Sequence, residues 1–185
     1  MAVLIAAPSL VFGAITILAP LRFDELGAGP TVIAIAFASG SAVEAILGPL
    51  VGRYSDRAGR LAPFLIGLTV SIVAVLAIGL FETLAFIFGA LVMAAVGAGL
   101  SFTPATTLLT ESASESGMNQ GFAAGISNIA WGGGQMVGSV GGGFLADTTG
   151  FLLPSVLVAA VLVWVSMVSR NYELPATADQ PRGAA

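Results

Sequence analysis

The chain contains no cysteine and no histidine, and its six basic residues are all arginines. Without cysteine neither a disulfide nor a thiolate metal site can form. Without histidine the commonest metal ligand and the proton carrier of neutral pH are both missing. Charge is scarce too: 9% of residues are charged against 57% hydrophobic, at a mean hydropathy of +1.00, whereas a soluble domain averages about 25% charged residues. Such a chain has too little polar surface to present to water. The net charge of −4 comes from scattered acids, with no block of like charge to suggest a nucleic-acid or membrane-surface tail. No nucleic-acid partner is expected. No combination of nucleophile, base and metal ligands appears, so neither an enzyme nor a cofactor is expected.

What the chain has in quantity is apolar runs. They fall at Ala2 to Ala19, Thr31 to Val51, Leu61 to Leu80, Thr83 to Leu109, Gly121 to Ala146 and Phe151 to Val168, each near the roughly 20 residues that cross a hydrocarbon core about 30 Å thick. The bilayer is therefore the first partner. The opening run lacks the basic flank of a signal peptide and leads straight into further spans, so it reads as the first helix.

Between the second and third runs lies Gly52-Arg53-Tyr54-Ser55-Asp56-Arg57-Ala58-Gly59-Arg60, with three of the six basic residues. A basic loop between spans belongs on the cytoplasmic side. Alternation then puts Arg53, Arg57, Arg60, Arg170 and Arg182 inside and only Arg22 outside, with both termini cytoplasmic. Residues 171–185 mix Pro, Asp, Arg, Gly and Ala without periodicity and are expected to form a disordered cytoplasmic tail.

An internal repeat follows. Gly52-xxx-Asp56-xx-Gly59-xxx-Pro63 recurs as Gly143-xxx-Asp147-xx-Gly150-xxx-Pro154, each position displaced by 91 residues. Three helices per repeat is an odd number, so the copies lie on opposite faces, as an inverted-topology repeat. The expected fold is all-α: a six-helix transmembrane half-bundle over 1–170, with repeat one about 1–80 and repeat two about 83–170. The inner copy carries Arg53, Arg57 and Arg60 where the outer copy has Phe144, Thr148 and Phe151, the difference that the positive-inside rule requires.

The Gly52–Arg60 segment resembles the signature between the second and third helices of each half of the major facilitator superfamily, with Leu61 in place of its last basic residue and Tyr54 where leucine is common. Gly134-xxx-Gly138-Ser139-xx-Gly142-Gly143 is similar to the family's antiporter motif, except that Ser139 replaces a proline. The resemblance covers residues 1 to about 170. It implies one six-helix half of a secondary transporter that moves a small-molecule substrate by alternating access across the cell membrane, efflux among the directions it allows. The missing partner is then an N-terminal six-helix half or a second copy. The family's proton-coupled N-terminal halves usually carry an arginine in helix 4, whereas Ala85 to Thr110 holds no charge, which points to the C-terminal half. Met1 opening directly into a span fits a truncated chain or a fragment. The alternative is a non-transporting scaffold or partner subunit with the same helices and no solute path.

Three groups of residues carry candidate roles. In the basic segment, Gly52 and Gly59 permit positive φ in a tight turn, Asp56 can accept N–H bonds at a helix N-terminus, and Arg57 or Arg60 can pair with Glu111. These contacts form a gate, or simply a turn that orients helices. Glu44 is the only acid well inside a span; mid-membrane charge is costly and marks function by default. It lies on the stripe Gly40, Glu44, Gly48, Gly52, whose small residues invite another helix, so it handles substrate or protons, or packs as a protonated acid. With Ser101 and one face of helix 5, Asn128, Trp131 and Gln135, it forms the candidate substrate or proton path. Asn128 and Gln135 serve equally well as helix-to-helix hydrogen-bonding groups. Gly134, Gly138 and Gly142 form a neighbouring stripe read as close packing. Pro104, preceded by Ser101 and Thr103, marks a kink with locally satisfied carbonyls.

Overall fold

The computed structural model describes residues 2–170, excepting the side chains of Asp56 and Ala58. The tail expected over 171–185, including Arg182, lies outside the described residues. Helices α1 (Ala2–Glu25), α2 (Pro30–Ala58), α3 (Leu61–Leu80), α4 (Leu84–Glu115), α5 (Gln120–Met136), α6 (Gly142–Thr149) and α7 (Leu152–Arg170) follow in order, and a π-helical turn, Val137–Gly141, joins α5 to α6 without a break. Five helices, α1 to α4 and α7, are long and apolar enough to cross a membrane.

The fifth expected span is the one that differs. Residues 121–146 are helical throughout but divided, because the run widens into i→i+5 bonding around Gly138. At that residue the backbone of α1 presses on it: a Cβ there would lie 2.8 Å from the amide nitrogen of Ala14. Glycine makes such a local rearrangement inexpensive. Of the other helices, α3 keeps its expected bounds, Leu61–Leu80, while α1, α2, α4 and α7 run past their expected C-terminal ends. Most of the basic segment is the last two turns of α2, and the expected loops after the first and fourth runs are largely the ends of α1 and α4.

The connections are short, and four of the five contain a glycine with positive φ, the exception being Phe81-Glu82-Thr83 between α3 and α4. After α1, Gly27 has φ +75°, its N–H donates to Asp24 O (2.9 Å), and Ala28 N–H donates to Phe23 O (2.9 Å). After α4 the same closure recurs: Gly117 has φ +66°, its N–H donates to Ser114 O (3.1 Å), and Met118 N–H donates to Ala113 O (2.9 Å). This pair of bonds is the Schellman closure of a helix end, which favours glycine in the left-handed region. After α2 and α6, Gly59 (φ +82°, ψ 162°) and Gly150 (φ +78°, ψ −179°) share a different conformation that is essentially restricted to glycine. Pro30 opens α2, where its missing N–H costs nothing, and the side chain of Asn119 caps α5 by accepting from Gly121 N–H at 2.8 Å.

Helix α3 packs on α4 and α7, α1 packs on α5 and α4, and α2 packs mainly on α4. Across their most apolar stretches 61% of α1 residues are buried but only 11% of α2 residues, so α1 is central and α2 peripheral. In lipid, helices gain no hydrophobic advantage by meeting each other, so close contact between small residues must hold them. The contacts are of that kind. A Cβ on Gly67 of α3 would lie 2.6 Å from Ser101 N and 2.7 Å from Gly97 O of α4, and one on Gly79 of α3 would lie 2.7 Å from Ser155 Oγ of α7. Gly134 and Gly138 press on Ser9 and Leu10 of α1, Gly13 of α1 meets the carbonyl of Gln135, and Gly142 sits 3.9 Å from Ala14 Cα on the same scale.

Candidate functional site

Glu44 stands midway along α2 and points at α4. The two helices touch where Gly40 meets Ala95, at 3.1 Å from a would-be Cβ, and again where Gly99 meets Glu44, whose Oε1 lies 3.1 Å from a Cβ built on that glycine. Beyond this point they splay, since nothing approaches Gly48 or Gly52 within 4 Å. The splay opens a groove of about 200 Å³, lined by Glu44, Leu47, Gly48, Val96, Leu100 and Thr103 among others. Thr103 donates its hydroxyl to Gly99 O (3.2 Å), so its donor is already used. No described ion pair includes Glu44.

A second groove, of about 300 Å³, lies between α4 and α5 and includes Phe102, Thr106, Gln120, Ser127 and Asn128. Trp131 packs beside it, 4.6 Å from the ring of Phe102 and 5.8 Å from that of Phe12. Asn128 is exposed at this groove, while Trp131 and Gln135 are half-buried. Glu44 and Asn128 therefore flank α4 in two neighbouring grooves rather than one common cavity. Thr103 lines the first and Phe102 the second.

Ser101 lies elsewhere. It is fully buried in the α3–α4 seam beside Gly67, and its hydroxyl donates to Gly97 O (2.8 Å) and Ala98 O (3.1 Å) of its own helix. Its place in the expected path gives way to a packing role, because a small side chain with a self-satisfied hydroxyl is what that close crossing needs. Around Pro104 the helix continues, and Thr106 and Thr107 both donate to Thr103 O, at 2.9 and 3.0 Å.

In the basic segment, Gly59 has the positive φ, whereas Gly52 lies within α2 with open space around it. Asp56 belongs to the last turn of α2 rather than to a loop, and its side chain lies outside the described residues. Arg60 forms an ion pair with Glu111 at the end of α4, and Arg57 is exposed without a described ion pair.

The opposite end of α3 has a second arginine contact that the sequence reading passed over. Arg22, 11% exposed, donates from Nε (3.3 Å) and Nη2 (3.1 Å) to Phe81 O, pairs with Glu25 (2.9 Å) and Glu82 (3.4 Å), and lies 4.9 Å from the ring centre of Phe151. The signal was present as the lone basic residue of its face. What it touches comes from turns about 60 and 130 residues away in the chain, which spacing alone does not reveal.

Taken together, an apolar helical bundle held by glycine contacts, with a carboxylate midway along one helix, defines a multi-pass α-helical membrane protein. Residues 1–183 match the family model described as Major Facilitator Superfamily, and the chain belongs to that superfamily of membrane transporters. Comparison with curated proteins finds no match.

Proposed function

We propose that the chain is one six-helix half, the C-terminal one, of a secondary transporter that moves a small organic solute across the cell membrane by alternating access. The basic segment would face the cytoplasm, and α5, the π turn and α6 together would form the fifth of six spans. The observation that carries this reading is the pairing of turns. Gly27 and Gly117 close their helices with the same two bonds, and Gly59 and Gly150 share a second conformation. The members of each pair are 90 and 91 residues apart, within one residue of the 91-residue displacement of the sequence repeat. Packing follows the same exchange, since α1 lies on α5 as α4 lies on α2, and swapping the two triplets converts one contact into the other. Inverted repeats of three helices build each half of this fold, with the substrate site at the interface of the halves.

One half supplies one wall of such a site. The test is reconstitution of the purified chain into liposomes, alone and co-expressed with a complementary six-helix half, with solute flux measured across several substrate classes and crosslinking to report oligomeric state. Saturable flux from the pair and none from the lone monomer is the expected result. Saturable flux from a proven monomer would overturn the half-transporter reading.

A further inference from the structure

Two stripes face each other across the α4–α5 groove of about 300 Å³. From α4 come Phe102, Thr106 and Thr110, four residues apart, and from α5 come Gln120, Ser127 and Asn128, which share one helical face. Gln120 and Asn128 are eight residues apart, about 12 Å along the helix at 1.5 Å per residue. One end of this slot is closed by the α4–α5 turn, where Gln120 Nε2 donates to Ser114 Oγ at 2.7 Å. The other end is Phe102, whose ring meets that of Trp131 at 4.6 Å.

None of the lining residues is charged. The threonines have spent their donors on their own helix: Thr106 donates to Phe102 O (3.2 Å) and Thr103 O (2.9 Å), and Thr110 to Thr106 O (2.9 Å). Each therefore offers the groove only lone pairs. Ser127 and Asn128 take part in none of the side-chain bonds described at this groove, so a hydroxyl and a whole amide stay open. Asn128 is exposed midway along α5, and an amide left unpaired in an apolar medium costs free energy.

An uncharged slot with more acceptors than donors selects by class. A carboxylate brings only acceptors and meets no cation there. An ammonium brings a charge that no lining group balances. A hydroxyl donates and accepts at once, and a ring carrying several of them can face the threonines and amides while its C–H side packs on an aromatic.

We propose that the α4–α5 groove binds a neutral polyhydroxylated ring, of the glycoside class. Ser127 and Asn128 hydrogen-bond its hydroxyls, Thr106 and Thr110 accept from them, and Phe102, braced by Trp131, packs against its C–H face. This deepens the transporter reading by naming a substrate class, and rests on that reading for the purpose of the binding.

The probe is 4-nitrophenyl β-glucoside, whose nitrophenyl group quenches tryptophan. Its tetra-O-acetyl derivative keeps the ring and lacks the donors, and 4-nitrophenyl phosphate replaces the sugar with an anion. The 185-residue chain carrying Trp164→Phe, which leaves Trp131 as its sole tryptophan, is placed in phosphatidylcholine nanodiscs, and quenching is corrected by empty discs. Saturable quenching by the glucoside is expected, with both analogues at least about tenfold weaker, since a site built on hydrogen bonds rejects ligands that cannot make them. Asn128→Leu should weaken glucoside binding at least about tenfold. Thr106→Val, which keeps the shape and removes the lone pairs, should weaken it severalfold. Equal binding of the acetylated probe, or undiminished binding by Asn128→Leu, overturns the proposal. Should Asn128→Leu fail to elute as a monodisperse species, Thr106→Val decides, and unchanged binding by that variant overturns the site. Flux of other solutes through the assembled pair of halves without glucoside binding overturns the glycoside class and leaves the transporter reading standing. Glucoside binding with no flux of any solute supports the site and overturns the transporter reading.

Discussion

The guanidinium of Arg22 donates twice to one acceptor, the carbonyl oxygen of Phe81, from Nε at 3.3 Å and from Nη2 at 3.1 Å. Phe81 follows the last residue of α3 and its own N–H donates back to Ala77 O, so the arginine, from α1, caps the C-terminal end of α3. Glu82 and the ring of Phe151 complete the surroundings, and α1, the α3–α4 turn and the start of α7 meet on one residue.

Replacing Arg22 with alanine should therefore cost more than an exposed charge would. Phe81 is exposed, so water can replace the lost donors at its carbonyl and the loss should be about 0.5–1.5 kcal/mol, and Arg22→Lys should recover only part of that because an ammonium lacks the planar fork. Thermal unfolding in detergent, followed by tryptophan fluorescence, measures both. Equal stability of the parent and Arg22→Ala would show that the contact is incidental.

The Arg60–Glu111 pair at the other end of α3 should behave differently. Glu111 is half exposed, with 51% of its side chain accessible, so screening limits the pair to about 0–1 kcal/mol of stability. Glu111→Gln should leave unfolding nearly unchanged, while a charge exchange, Arg60→Glu with Glu111→Arg, should match the parent more closely than either single change. A loss of several kcal/mol from Glu111→Gln would assign the pair a far larger structural role.

Helix packing predicts opposite outcomes at two glycines of one helical run. Gly138 faces α1, and a Cβ there would stand 2.8 Å from Ala14 N, whereas Gly133 has nothing within 4 Å. Gly138→Ala should destabilise by about 1–3 kcal/mol through overpacking against backbone. Gly133→Ala should be neutral or gain up to about 1 kcal/mol from helix propensity. Similar effects at the two sites in a denaturant or thermal series would rule out the α1–α5 contact as drawn.

The two kinds of glycine turn should also separate. Asparagine is tolerated in the left-handed conformation that closes a helix, so Gly117→Asn should cost little. Gly59, at φ +82° and ψ 162°, occupies a region essentially closed to other residues, at about 1–3 kcal/mol. Gly59→Asn should lower the unfolding temperature clearly more than Gly117→Asn, and the reverse order would contradict the turn assignments.

Most of the fold was legible because a bilayer is a demanding solvent. Backbone groups in hydrocarbon must pair within their own helix, so apolar run length translates directly into helices, and the runs ending at Leu80 and Val168 lie on α3 and α7. Gly59 and Gly150 were legible because their spacing to Pro63 and Pro154 repeats. The matched closure at Gly27 and Gly117 was missed, since it depends on backbone carbonyls that any sequence supplies.

Composition and run length by themselves determined an all-helical membrane protein with a charge midway along one span, and the Gly52–Arg60 pattern determined its family. Tertiary packing decided what each polar residue does. Ser101 and Glu44 are both polar residues within apolar helices, yet one is sealed in a glycine crossing with its hydroxyl bonded to its own helix, and the other lies where two helices part. Arg22 likewise gained its partners only when α3 and α7 brought Phe81 and Phe151 to the end of α1. The physical reason is that a helix fixes its own hydrogen bonds from its own residues, whereas the face it presents to a neighbour depends on where the other chain segments allow the closest approach.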